Sequence, residues 1–386
     1  MDIKKLKDSG FLIDRVEQAL KTVFDLNENF NEALNGDEPL VLCSLKDPGG
    51  EYRFEASEIL YWVDRNAYID ELEYWDGEKA KEKHQCAIQF LTASDQESTF
   101  RDLIESIRRH RVSPFIGAGV SKAANYPMWG EALMRIVGKL EGVDFDSIEQ
   151  HLEAFDYLGA AQILYDASPE QVNRYIRTEF RLKYDPEDKK PSLPAVVRIL
   201  PKIAQGCIVT TNFDSLIEES FKLANKPLDG YMHGLQPGHN FVQRLLRGER
   251  CILKLHGDAP QENTYVFTKS QYESAYGDPI DFSKQLPKAL RQIYISNSLL
   301  FLGCSLDQDK TLDLFKAVFN EGHFEIPEHF ALLPMPSTVA EKSTKETRLL
   351  GMNIQPIWYE QDESHSMVEN LLELAIDVSN KHISLG

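Results

Sequence analysis

Four short stretches carry residue types suited to chemistry: GAGVS (117–121), TTNFD (210–214), LHGD (255–258) and GCSLD (303–307). Each closes an apolar run. Gly117 and Gly119 allow a backbone to approach a phosphate closely, and a helix starting there would present free N–H groups and the positive end of its dipole. Asn212 supplies an amide that can orient a water or a hydroxyl. Asp214 supplies a negative charge suited to a developing cation. His256 has the unperturbed pKa to take a proton near neutrality. Plainer roles compete with these. Asn212 and Asp214 are good caps for a helix beginning near 214, and Ser305 and Asp307 for the one after GCSLD. Two glycines after a strand can serve only to pack strand against helix, and the full GxGxxG is absent because position 122 is Lys.

The elements that must position these loops are legible as short, nearly continuous apolar runs: SPFIG (113–117), GCIVTTN (206–212), CILKLHG (251–257), SLLFLGC (298–304), HFALLP (329–334) and IQPIWY (354–359). Strands buried on both faces of a helix-covered parallel sheet read this way. Helical segments are expected over 100–111, 129–141, 214–224, 309–320 and 365–379. The alternation predicts an α/β fold: a doubly wound, mostly parallel, Rossmann-like sheet. Such sheets bind ligands at the carboxyl ends of their strands, where four of the six runs end in the stretches above. Residues from about 144 to 200 exceed one crossover and read as an inserted helical module. Trp129 reads as a core or helix-start residue.

The first quarter differs. Leu12, Val16, Leu20 and Phe24 mark an amphipathic helix, EPLVLCSL (38–45) a strand, DPGG (47–50) a turn, and the aromatic-rich 56–75 a helix. ASDQEST (93–99) reads as a structureless boundary. A small acidic α+β domain over 1–97 and an α/β domain over 98–386 are therefore expected. Residues 1–95 hold 21 Asp/Glu against 11 Lys/Arg, a net of −10 within a total of −19. That asymmetry suits either a solvated acidic surface or a module facing a basic partner. The overall charge disfavours direct nucleic-acid binding. No apolar run approaches the ~18 residues that would span a bilayer, and the N-terminus lacks the apolar core of a signal peptide. The cysteines, Cys43, Cys86, Cys207, Cys251 and Cys304, form no CxxC pair. They point to a reducing, cytoplasmic compartment. His110, His151, His233, His239, His323, His329 and His365 show no metal-ligand spacing.

Taken in order, GAGVS, TTNFD, LHG and GCS resemble the sirtuin family over roughly residues 100–386. The resemblance implies that NAD binds and that its nicotinamide–ribose bond is cleaved. Gly117, Ala118, Gly119 and Ser121 would cradle the pyrophosphate. Thr211 would help bind the dinucleotide. Asn212 and Asp214 would line the nicotinamide and ribose pocket, with His256 as the general base. Gly303 and Ser305 would contact the adenosine-side ribose and phosphate. Two departures bear on the chemistry. The paired cysteines of the family's structural zinc are missing, so no zinc is expected. The loop that reads GIPDFR in classical sirtuins reads NYPMWGE here, without the Asp, Phe and Arg that help set NAD against an acyl-lysine peptide. Both departures look like the divergent sirtuin-like proteins of bacterial antiviral defence, which resemble NAD glycohydrolases. The compact architecture looks most like the sirtuin-like subunit of a sirtuin–HerA pairing, implying a homo-oligomer and a HerA-type ATPase as partner. A protein deacylase and a non-catalytic module sensing NAD or ADP-ribose are the alternatives.

Overall fold

The computed structural model describes residues 10–140, 144–187, 189–236, 240–307, 310–362, 365–383 and 385. The chain divides into two compact units. One holds the described residues up to Gln85 with His382 and Ile383, the other Cys86–Lys381 with Leu385. The division falls inside the helix Arg65–Ala93, ahead of the boundary expected near 97. ASDQEST is not structureless. One helix ends at Ala93 and the next, Glu97–Arg108, starts four residues later. Gln96 between them is buried, and its amide both donates to the Trp358 carbonyl (3.0 Å) and accepts from the Trp358 N–H (2.7 Å). The polar residue that resembled a linker is thus tied to the sheet.

The first unit contains the helices Gly10–Asp25, Glu28–Leu34 and Ala56–Val63 and a two-stranded antiparallel hairpin, β1 (Leu40–Cys43) and β2 (Glu51–Phe54). Its small core is aromatic. Phe30, Tyr61 and Tyr68 are buried, with the Tyr68 hydroxyl donating to Asn31 at 2.6 Å and that of Tyr61 to the Leu20 carbonyl at 2.8 Å.

In the second unit the apolar runs form β3 (Val112–Ile116), β4 (Cys207–Thr210), β6 (Cys251–Lys254), β7 (Ser298–Leu302), β8 (His329–Pro334) and β9 (Ile354–Tyr359). A strand absent from the sequence reading, β5 (Gly230–His233), completes a seven-stranded sheet of order β5-β6-β4-β3-β7-β8-β9, every pair parallel. Without the added edge strand β5, this is the doubly wound order, which reverses at β3. Alternate strand residues such as Val209, Leu253 and Phe301 join a core with the helices Lys269–Tyr276, Gln285–Ser296 and Lys310–Glu321. Ile208, Ile252 and Leu300 are equally buried on the opposite face. There the helix Ser366–Ser379 packs on Glu97–Arg108 and Ala195–Ile203. Burial on both faces explains why these runs carry almost no polar residues.

The helices Trp129–Val137, Phe145–Glu153, Tyr157–Ala167 and Pro169–Glu179 build a second cluster. Leu133, Ile136, Leu164, Val172 and Ile176 fill it, and it closes on Phe213, Ala259, Tyr265 and Phe267. The helical module is thereby seated on the loops that follow β4 and β6.

Candidate active site

The reversal of strand order at β3 brings the β3 and β7 loops side by side, and the glycines there answer to crowding. The Gly117 N–H donates to the Leu302 carbonyl at 2.9 Å and the Gly119 N–H to the Gly303 carbonyl at 3.0 Å. A Cβ on Gly117 would lie 2.4 Å from the Gly303 oxygen, and one on Gly119 2.9 Å from it. Gly303 has φ +65°, and a Cβ there would lie 2.5 Å from the Val120 nitrogen. Glycine is required at all three positions for the loops to touch. Gly117 precedes the one-turn helix Ala118–Lys122. Ala118 and Gly119 remain partly exposed and Gly303 and Ser305 exposed, so this backbone edge is open to a ligand.

Beneath it lies a buried polar relay. The Asn212 amide nitrogen donates to the Gly117 carbonyl (3.1 Å) and to the Ser121 hydroxyl (2.8 Å), and Ser121 donates to the Asp214 carboxylate (2.8 Å). The carbonyl of Gly117 can only accept, which fixes the amide's orientation and consumes both its N–H groups. The Asn212 oxygen, with only a long 3.4 Å contact from the Thr211 hydroxyl, is the group left to orient a substrate hydroxyl or water. Asp214 is 4 % exposed, and its second oxygen accepts the Leu216 N–H at 3.1 Å. It therefore satisfies the first helical N–H from the position before the N-cap Ser215 while holding Ser121. Burial raises its pKa, opposed by the Lys254 charge and by the Ser121 hydrogen bond. Thr210 ties this loop to β3 by accepting the Asn212 N–H and donating to the Ile116 carbonyl, and the Thr211 N–H bonds the same carbonyl.

His256 stands on the neighbouring β6 loop, 8 % exposed. Burial depresses its pKa to about 4, and a backbone hydrogen bond with Thr211 pulls weakly the other way. That bond favours the charged ring, as a donation from His256 to a carbonyl does. Nε2 lies 2.5 Å from the Tyr272 hydroxyl. With its other nitrogen protonated toward Thr211, Nε2 is the lone-pair nitrogen and the phenol its donor. Trp129, Phe213 and Tyr272 surround the ring at centroid separations of 5.5, 6.1 and 5.6 Å. Trp129 does start a helix, as the sequence suggests, but its indole also walls the site.

Ser121, Asn212, Asp214 and His256 are thus brought together, with Thr211 linking the last to the β4 loop. The helix start expected to be capped by Asp307 lies next to positions outside the described residues. The Asp307 carboxylate meets Lys345 at 2.9 Å and Arg348 at 3.4 Å. Among the described residues no group of three or more His, Cys, Asp or Glu is placed to hold a metal ion. Two residues passed over in the sequence belong here. Tyr272 reaches the site from the helix Lys269–Tyr276 and carries no local signal. Lys254 does carry one, as a lysine inside an otherwise apolar buried strand.

Residues 206–357 of this chain match a family model described as a SIR2-like domain. The match takes in the β4, β6 and β7 loops. Among curated proteins the chain is 26% identical over 217 residues to the NAD(+) hydrolase ThsA of Bacillus cereus (strain MSX-D12), covering 56% of this chain and 41% of that protein. It is 27% identical over 220 residues to the NAD(+) hydrolase ThsA of Acinetobacter baumannii (strain 532279), with 57% and 41% covered. Over 234 residues it is 24% identical to Defense-associated sirtuin 2 of Bacillus subtilis, with 60% and 21% covered. The similarity thus spans about two fifths of the length of the two hydrolases.

Proposed function

We propose that this chain is an NAD glycohydrolase that cleaves the nicotinamide–ribose bond and depletes NAD in defence against phage. The observation that carries this is the convergence of Asn212, Ser121, Asp214 and His256 at the ends of adjacent parallel strands, in a chain similar to proteins named NAD(+) hydrolase. The glycine-lined edge formed by Gly117, Ala118, Gly119, Gly303 and Ser305 takes the pyrophosphate and the adenosine side.

The bond to be broken joins the ribose anomeric carbon to a pyridinium nitrogen. Its electron pair leaves with nicotinamide, which departs neutral and needs no acid. Positive charge builds on the sugar as in a glycosidase. The buried Asp214 charge, relayed through Ser121, favours that cation. The free oxygen of Asn212 orients a water. The water's oxygen bonds to the anomeric carbon, and its proton goes to Nε2 of His256 through the Tyr272 hydroxyl, which hands on its own proton as it accepts the new one. The products are nicotinamide, ADP-ribose and one proton. All four polar residues are under one-tenth exposed, so these groups act with little competing water.

The chain works in the cytoplasm, as a homo-oligomer and with a HerA-type ATPase. The compartment is supported by five free thiols, including Cys207 and Cys251 paired in register on adjacent strands without a disulfide. Assembly is supported by the acidic first unit and its exposed Leu40, Leu42, Tyr52 and Trp62. Among the described residues no helix is long and apolar enough to cross a membrane. The experiment is nicotinamide release from NAD with no acylated peptide present, alone and with the ATPase, with ADP-ribose quantified. Equimolar products without peptide are expected. Release that requires an acyl-lysine peptide would show a deacylase instead.

A further inference from the structure

We propose that Lys254 is a positioning residue that clamps the Asn212 loop to the His256 loop. Its consequence for activity rests on the NAD-cleaving function proposed above. Lys254 is the last residue of β6, in register with Thr210 at the end of β4, and its side chain is 0 % exposed. An ammonium has three donors and no acceptor. Four oxygens surround this one: the carbonyl of Asp214 at 2.6 Å, Asp258 Oδ1 at 2.7 Å, Glu218 Oε1 at 3.0 Å and the carbonyl of Phe213 at 3.1 Å.

The sequence positions of those oxygens are what matter. The two carbonyls belong to the residues directly after Asn212. Glu218 lies in the first turn of the helix that follows. Asp258 comes two residues after His256 and is itself held, its Oδ2 by the Gln261 amide at 2.9 Å and its N–H by the Thr264 hydroxyl at 3.0 Å. The Ala259 N–H adds a backbone bond to the Phe213 carbonyl at 3.1 Å. One nitrogen thus fixes the spacing between the amide that orients the nucleophile and the ring that takes its proton. Its charge also lies within reach of Asp214.

The sheet itself does not require this lysine. Its neighbours Ile252 and Leu253 fill β6 with apolar side chains, and a buried charge is tolerated only when paired. Here it is paired with groups from the two loops that carry the site.

Lys254→Met alone leaves the buried Asp258 and the half-buried Glu218 without their counter-charge and can fail for that reason. The informative variant adds Glu218→Gln and Asp258→Asn, removing the lysine charge together with the two side-chain carboxylates bonded to it while keeping the volumes. The readouts are thermal midpoint, kcat and KM for nicotinamide release, and a crystal structure. The triple variant is expected to recover the thermal midpoint lost by Lys254→Met. It is expected to keep KM within about threefold and to lose about 100-fold in kcat, the scale of a misplacement of about 1 Å. Recovery of both stability and kcat would overturn the proposal and leave Lys254 a structural ion-pair partner only. If the wild-type chain releases no nicotinamide alone or with the ATPase, the proposed reaction is what fails, and the crystal structure decides the clamp. A shift of the Asn212 loop relative to His256 supports it, and superposable loops overturn it.

Discussion

In the proposed reaction His256 would act uncharged, because burial depresses its pKa to about 4, and this gives the proposal a distinct pH signature. An ordinary histidine base would lose its lone pair below about pH 6.5. This ring keeps it, so nicotinamide release is expected to stay flat from pH 7 to pH 5 and to fall only as pH approaches 4. A pH–rate profile that breaks near 6.5 would contradict the buried base. Tyr272→Phe removes one hydroxyl and leaves the stacked rings of Tyr272 and Tyr276 in place. It is expected to cut kcat about tenfold or more with KM little changed, since in the proposed mechanism the hydroxyl carries the proton to Nε2. Undiminished kcat would remove Tyr272 from the proton path. Asn212 and His256 could be read as candidates because both follow apolar strand runs at the edge where such sheets bind ligands. Tyr272 was not, because it meets His256 from sixteen positions further along the chain and only the packing of its own helix, Lys269–Tyr276, brings it back.

At the scale of elements, the site depends on two loops whose backbones touch. Gly303→Ala places a Cβ 2.5 Å from the Val120 nitrogen at a residue with φ +65°. A loss of about 2 kcal/mol or more is expected, read as a lower midpoint in denaturant unfolding. Gly206→Ala, where a Cβ meets nothing within 4 Å, serves as the control with a change of about 0.5 kcal/mol or less. Equal stability of the two variants would show that the β3 and β7 loops can part without cost. Six of the seven strands of the large sheet could be read because burial on both faces makes them continuously apolar. β5 escaped because it is a four-residue edge strand, GYMH, with Tyr231 exposed. The glycine pair was visible as a candidate phosphate loop, but its contact with Gly303 joins residues nearly two hundred positions apart and has no local signature.

Across the molecule, acid sensitivity should follow its buried histidines. His329 is fully buried in β8, stacked on Tyr294 at 4.4 Å, with Nδ1 accepting the Leu299 N–H at 3.0 Å. Burial lowers its pKa to about 3. Its unfolded form binds a proton below about pH 6.5 while the folded form does not, so stability falls as pH drops through that window. The stability difference between wild type and His329→Gln is expected to shrink by about 2 kcal/mol between pH 7 and pH 5. A constant difference would show that His329 titrates normally. The acidic first quarter was legible as a separate charge block, yet the division lies inside the helix Arg65–Ala93, where no composition break marks it. The measurement that tests the central claim most directly is nicotinamide release from NAD by the purified wild-type chain and by His256→Ala, without acylated peptide, with NAD binding followed in parallel. Release by the wild type that falls about 100-fold or more in the variant, while NAD still binds, is the predicted result. Equal release by both, or none from a wild type that binds NAD in the presence of the ATPase, would contradict it.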